Sequence, residues 1–93
     1  MFIGSATIEL EITDGQTLKD KRQVVRSVLD RLRSRFNVSA AEVGQLDSRQ
    51  YATIAIVTVA NDQAFVHEVL SKANNLVESE PRALVVNCEV EIL

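Results

Sequence analysis

The sequence is poor in the residues on which most catalysis and most extracellular folding depend. It holds one cysteine, Cys88, one histidine, His67, one proline and only three glycines, Gly4, Gly15 and Gly44. A lone cysteine forms no internal disulfide, so the expectation is a protein of the reducing cytoplasm rather than a secreted one. No GxGxxG, P-loop, CxxC or HExxH pattern occurs, which removes the commonest nucleotide, redox and zinc chemistries and leaves no cofactor or metal to expect. His67 has no sequence partner for acid–base work, and the expectation is that the chain is not an enzyme. No apolar run approaches the ~20 residues that span a bilayer, and the first residues lack the basic region of a secretory signal. Tryptophan is absent and the aromatics are one tyrosine and three phenylalanines. RNA readers that stack bases on a sheet need exposed aromatics there, and Tyr51 is the sole candidate, since Phe2, Phe36 and Phe65 are read as inward-facing.

What is present is regular. With 93 residues, 46% of them apolar and 25% charged, the chain is expected to make a single domain over 1–93 with one core. Phe2, Gly4, Ala6, Ile8, Leu10 and Ile12 alternate with polar residues, the period of a strand with one buried face. Asp14-Gly15-Gln16 ends it, and Thr17-Leu18-Lys19-Asp20 reads as a capping box. Leu18, Val25, Val28, Leu29, Leu32 and Phe36 then recur at helical spacing. Asn37 to Val43 reads as a short strand, and Gly44 to Arg49 as a polar connection. Tyr51 to Ala60 reads as a central strand rich in Ile, Val and Thr. Asn61 or Asp62 caps a second helix carrying Phe65, Val66, Val69, Leu70, Ala73, Leu76 and Val77. After the stop at Ser79-Glu80-Pro81 comes a last strand with Val86, Cys88, Val90 and Ile92 facing inward. The order β-α-β-β-α-β predicts an α+β, ferredoxin-like sandwich: a four-stranded antiparallel sheet with two helices on one face.

Charge is unevenly placed. The net charge is −3, yet Lys19, Lys21, Arg22, Arg26, Arg31, Arg33 and Arg35 all fall on the first helix, opposed there only by Asp20 and Asp30. Such a ridge engages phosphates, and Lys19, Lys21, Arg22, Arg26 and Arg33 are the candidate nucleic-acid contacts, with Arg35 peripheral. The alternative is a solvated face whose long stems cover the apolar stripe. Glu9, Glu11, Glu89 and Glu91 are expected together on the open face of the sheet, as a cation site, a surface for a basic helix or a guard against edge pairing. Cys88 reads as a small inward-facing residue. On the central strand, Tyr51, Ala55, Val57 and Val59 point away from the helices, and with no third layer to cover them they form the candidate interface of a homodimer.

The segment Thr17-Leu18-Lys19-Asp20-Lys21-Arg22, continuing through Arg31-Leu32-Arg33-Ser34-Arg35-Phe36-Asn37-Val38-Ser39 to Ala41-Glu42-Val43, resembles the signature of the YlxP-like bacterial family. Asn61-Asp62 and the closing Glu89-Val90-Glu91-Ile92-Leu93 are similar to it as well. The resemblance implies a ferredoxin-like domain from an uncharacterised family whose genes tend to lie among those for translation and ribosome maturation, with no catalytic residues to carry over. Two functions therefore stand side by side: an accessory protein binding RNA or a ribosomal surface through the first helix, and a structural homodimerisation module in which that helix is merely solvated.

Overall fold

The computed structural model describes residues 1–15 and 17–93; Gln16, which the sequence assigns to the turn after the first strand, lies outside the described residues. The elements are β1 (Phe2–Ile12), α1 (Leu18–Arg35), β2 (Ser39–Gly44), β3 (Tyr51–Ala60), α2 (Gln63–Glu78) and β4 (Ala83–Ile92). All strand pairs are antiparallel and the sheet order is β2-β3-β1-β4, the ferredoxin-like arrangement expected.

Each helix begins where its sequence provides acceptors for unpaired amide groups. Thr17 Oγ1 accepts from the Asp20 amide at 3.1 Å, and Asp20 Oδ2 accepts from the Thr17 amide at 3.2 Å, so the capping box is reciprocal. Asp62 Oδ1 accepts from the Ala64 amide to open α2. The core lies between the sheet and the helices. Ala6, Ile8, Leu10, Ala52, Ile54 and Ile56 come from the sheet, Val25, Val28 and Leu32 from α1, and Val66, Leu70, Ala73 and Val77 from α2. Burying each large aliphatic side chain stabilises the fold by roughly 1.5–3 kcal/mol.

Helix α2 approaches β1 at Gly4, where an added Cβ would collide with Val66 Cγ1 and stand 2.9 Å from Leu70 Cδ1. That glycine is required by close packing. Phe65 departs from the sequence reading: it stands in the first turn of α2, on the flank of the buried stripe, and is exposed. Val86 also departs from it. The β1–β4 register shifts between Glu9, paired with Asn87, and Leu10, paired with Val85, so Val86 is an extra residue and is turned outward. Val90 keeps its expected inward facing, opposite buried Ala6, but remains about half exposed, because β4 is an edge strand.

Candidate nucleic-acid interface on the first helix

The seven cations of α1 divide into two groups. Lys21 belongs to the buried stripe. Its side chain is 0% exposed, its Nζ lies 2.7 Å from Glu42 Oε2 and it donates to the Gln45 carbonyl at 2.8 Å. Glu42 Oε2 is itself buried and accepts no aligned hydrogen bond, so attraction between charges holds the pair. Lys21 is thus unavailable to a phosphate, which corrects the reading of the sequence. The signal is present: Leu18 and Val25 stand seven positions apart in the stripe, and Lys21 fills the core-facing position between them. Glu42 is in register with inward-facing Ile54 on β3, so the two charges meet inside.

Arg31 is likewise committed. Its Nη2 reaches Glu80 Oε1 at 2.6 Å, and Arg82 donates to the same carboxylate through Nε at 2.9 Å and Nη2 at 2.9 Å. Glu80 is only 3% exposed. The side-chain hydrogen bonds from Arg82 lead the shift of its carboxyl down to about 2; the Arg82 amide and the charges of both arginines add to it and outweigh burial, which pushes the other way. The sequence reading took Glu80 only as part of a helix stop. Nothing in its periodicity announces that it ties α1 to the start of β4.

Lys19, Arg22, Arg26 and Arg33 remain on the solvent side, within about 60° of one another at about 100° per residue. Arg33 donates to the Ala40 carbonyl at 2.6 Å and lies 3.6 Å from Asp30. Lys19, Arg22, Arg26 and the exposed Arg35 make no hydrogen bond or ion pair among the described residues. The structure therefore brings four of the five candidate residues into one row and removes the fifth.

The open sheet face carries the other candidates. Ala52, Ile54, Ile56 and Thr58 face the helices, so Tyr51, Ala55, Val57 and Val59 face outward, as the alternation predicts. Tyr51, Val57 and Val59 are 41%, 40% and 52% exposed. Glu9, Glu11, Glu89 and Glu91 share this face, but none is directly opposite another: they pair with Asn87, Leu84, Thr7 and Ser5 respectively across β1 and β4. Among the described residues no cluster of three or more acidic, histidine or cysteine side chains has the arrangement of a metal site. Cys88 packs against the core while remaining half-buried, and burial first, then the charge of Glu78, pushes its thiol pKa up. No helix among the described residues is long and apolar enough to cross a membrane.

Residues 3–90 match the model of the family described as "Protein of unknown function (DUF503)". The chain is similar to the uncharacterised protein YlxP of Bacillus subtilis (strain 168), 33% identical over 80 residues that cover 86% of this chain and 87% of that one. Among solved structures it is similar to the structural-genomics protein YJCS, with a TM-score of 0.55 and 11% identity over 96% of each chain, a likeness of fold alone. A dimeric ferredoxin-like protein of unknown function from Thermobifida fusca aligns over 98% of this chain and 90% of its own at 16% identity, with a TM-score of 0.40.

Proposed function

The chain belongs to the DUF503 family of proteins of unknown function, and on that premise we propose that it is a non-enzymatic cytoplasmic accessory protein that grips structured RNA, such as a ribosomal surface, through α1. The observation that carries this reading is the row of Lys19, Arg22 and Arg26, exposed and without a carboxylate partner among the described residues. Guanidinium and ammonium groups on one helical ridge match the spacing of a phosphate backbone and read its shape rather than its bases. The acidic open face lies on the far side of the sheet from the helices, so the net charge of −3 does not screen the ridge directly. Replacing Lys19, Arg22 and Arg26 together by Gln tests it, with binding to a hairpin RNA and to purified ribosomal subunits measured across a salt series. Affinity falls for every RNA sequence, and the salt slope shrinks by about 0.7–0.9 for each phosphate no longer neutralised. A folded triple variant with unchanged affinity overturns the reading.

A second reading rests on the exposed row of Tyr51, Ala55, Val57 and Val59, which continues across the sheet to Ile3, the partner of Val59. This apolar strip suits a homodimer through the open face, with the glutamates at its wet rim. Sedimentation over a concentration series decides it: Val57→Glu, which buries an unpaired carboxylate in such a contact, shifts the protein to monomer. A wild-type protein that is monomeric at high micromolar concentration removes this contact.

A further inference from the structure

The two edges of the sheet are finished differently. The amide of Leu93 donates to the Ile3 carbonyl at 2.7 Å, which sets the phase of the β1–β4 ladder. Residues of β4 alternate, so Asn87, Glu89 and Glu91 bond to β1 while the peptide groups of Cys88, Val90 and Ile92 point out of the sheet. Nothing among the described residues bonds to them from outside. At the other edge, β2 is six residues long, is interrupted by a register shift between Glu42 and Gly44, and has the outward carbonyl of Ala40 capped by Arg33.

The same three residues floor a cleft of about 360 Å³ whose wall is the outer flank of α2, through His67, Leu70, Ser71 and Asn74. Val90 is 47% exposed there, and Asn74 Oδ1 is a buried acceptor without a donor among the described residues. On the opposite face of β4, Glu89 and Glu91 stand in the positions that come closest to an added strand, because they occupy its non-hydrogen-bonded pairs. Those carboxylates also decide what the edge admits. A second copy of β4 paired about a two-fold at Val90 would set Glu89 directly against Glu91 of that copy, and a two-fold at Glu89 would set that residue against itself. A two-fold at Cys88, which separates the carboxylates, would run Val90 against the bulge at Val86. Like charges directly opposite are destabilising, whereas lysine or arginine at the same positions is favourable.

We propose that β4 is a docking edge for an extended basic segment of another protein, which adds a fifth strand along Cys88–Ile92. Its apolar residues enter the cleft under α2, and its alternate Lys or Arg residues lie beside Glu89 and Glu91. Main-chain bonds to Cys88, Val90 and Ile92 supply affinity, and the apolar–basic alternation supplies selectivity. This edge is separate from the phosphate-binding ridge of α1, so the two tests are independent.

The probe is an acetylated, amidated peptide of four Val-Lys repeats, with four Val-Glu repeats as its counterpart, titrated into the protein by NMR and fluorescence anisotropy. The Val-Lys peptide slows hydrogen exchange at the amides of Cys88, Val90 and Ile92 and binds at least tenfold more tightly than Val-Glu. Val90→Pro removes an outward donor without touching a β1 bond and lowers affinity at least tenfold. Should that variant fail to fold, Glu89→Lys with Glu91→Lys decides the matter by reversing the preference toward the Val-Glu peptide. Unprotected amides, an unchanged preference in the double lysine variant, or a wild-type dimer that Val90→Pro dissolves would each overturn the proposal.

Discussion

The β1-α1-β2 and β3-α2-β4 halves share an architecture and differ in how the helix holds its edge strand. Helix α1 latches β2 with charge: Lys21 holds Glu42 and the Gln45 carbonyl, and Arg33 holds the Ala40 carbonyl. Helix α2 packs on the sheet through Val66, Leu70, Ala73 and Val77, and the polar tie of its half sits at the beginning of β4, where Glu80 meets Arg82 and Arg31. Beyond that tie, no side chain among the described residues bonds to the outer edge of β4. A short strand gains little from apolar burial, so charged anchors substitute for it; a ten-residue strand paired along β1 needs only one end secured.

The largest effect breaks the latch on β2. Lys21→Met leaves Glu42 without its counter-charge and destabilises by about 3–5 kcal/mol, measured by urea unfolding, while adding Glu42→Leu recovers most of the loss. Hydrogen exchange in the single variant accelerates first in β2 and in the turn at Gln45, whose positive φ of 61° Lys21 helps to hold, and last in β1. Equal acceleration in β4 would show that the halves are not latched separately.

Next comes the tie of the second half, which is sensitive to acid. The carboxyl of Glu80 is depressed in the folded state from 4.5 to about 2, so its stabilisation is complete above about pH 4.5 and is lost as pH falls through about 2. A shift of that size corresponds to about 3 kcal/mol. Thermal unfolding between pH 6 and 2 reads it, and Glu80→Gln lowers stability at pH 6 and flattens that limb of the curve. The smallest effect sharpens the contrast between edges: Arg33→Gln removes one charge-assisted bond to Ala40 and costs about 1 kcal/mol. It speeds exchange of the Ala41 amide, which bonds to β3, with no change at Glu89 or Glu91, which bond to β1.

The strands and helices were legible because one periodicity governed each: Ala6 to Ile12 at period two, Val25 to Leu32 at helical spacing, Thr17 and Asp20 at the cap. The solvent ridge of α1 was legible for the same reason. Lys21 was misplaced because composition weighs a lysine as surface, and its neutralising partner is 21 residues away on another element. Val86 was misplaced because one extra residue in a ladder inverts the facing on either side of it, and a bulge leaves no mark in the alternation of a strand that is apolar on both sides.

The sequence by itself determined the element order, the family, the basic helix and the outward row of Tyr51, Ala55, Val57 and Val59, since all of these rest on local spacing and residue chemistry. Only the tertiary structure decided which charges are spent inside and which strand edge stays open. Both depend on pairs brought together from different elements, Lys21 with Glu42, Arg31 with Glu80 and Leu93 with Ile3, and the phase of a hydrogen-bond ladder exists only once two strands are aligned.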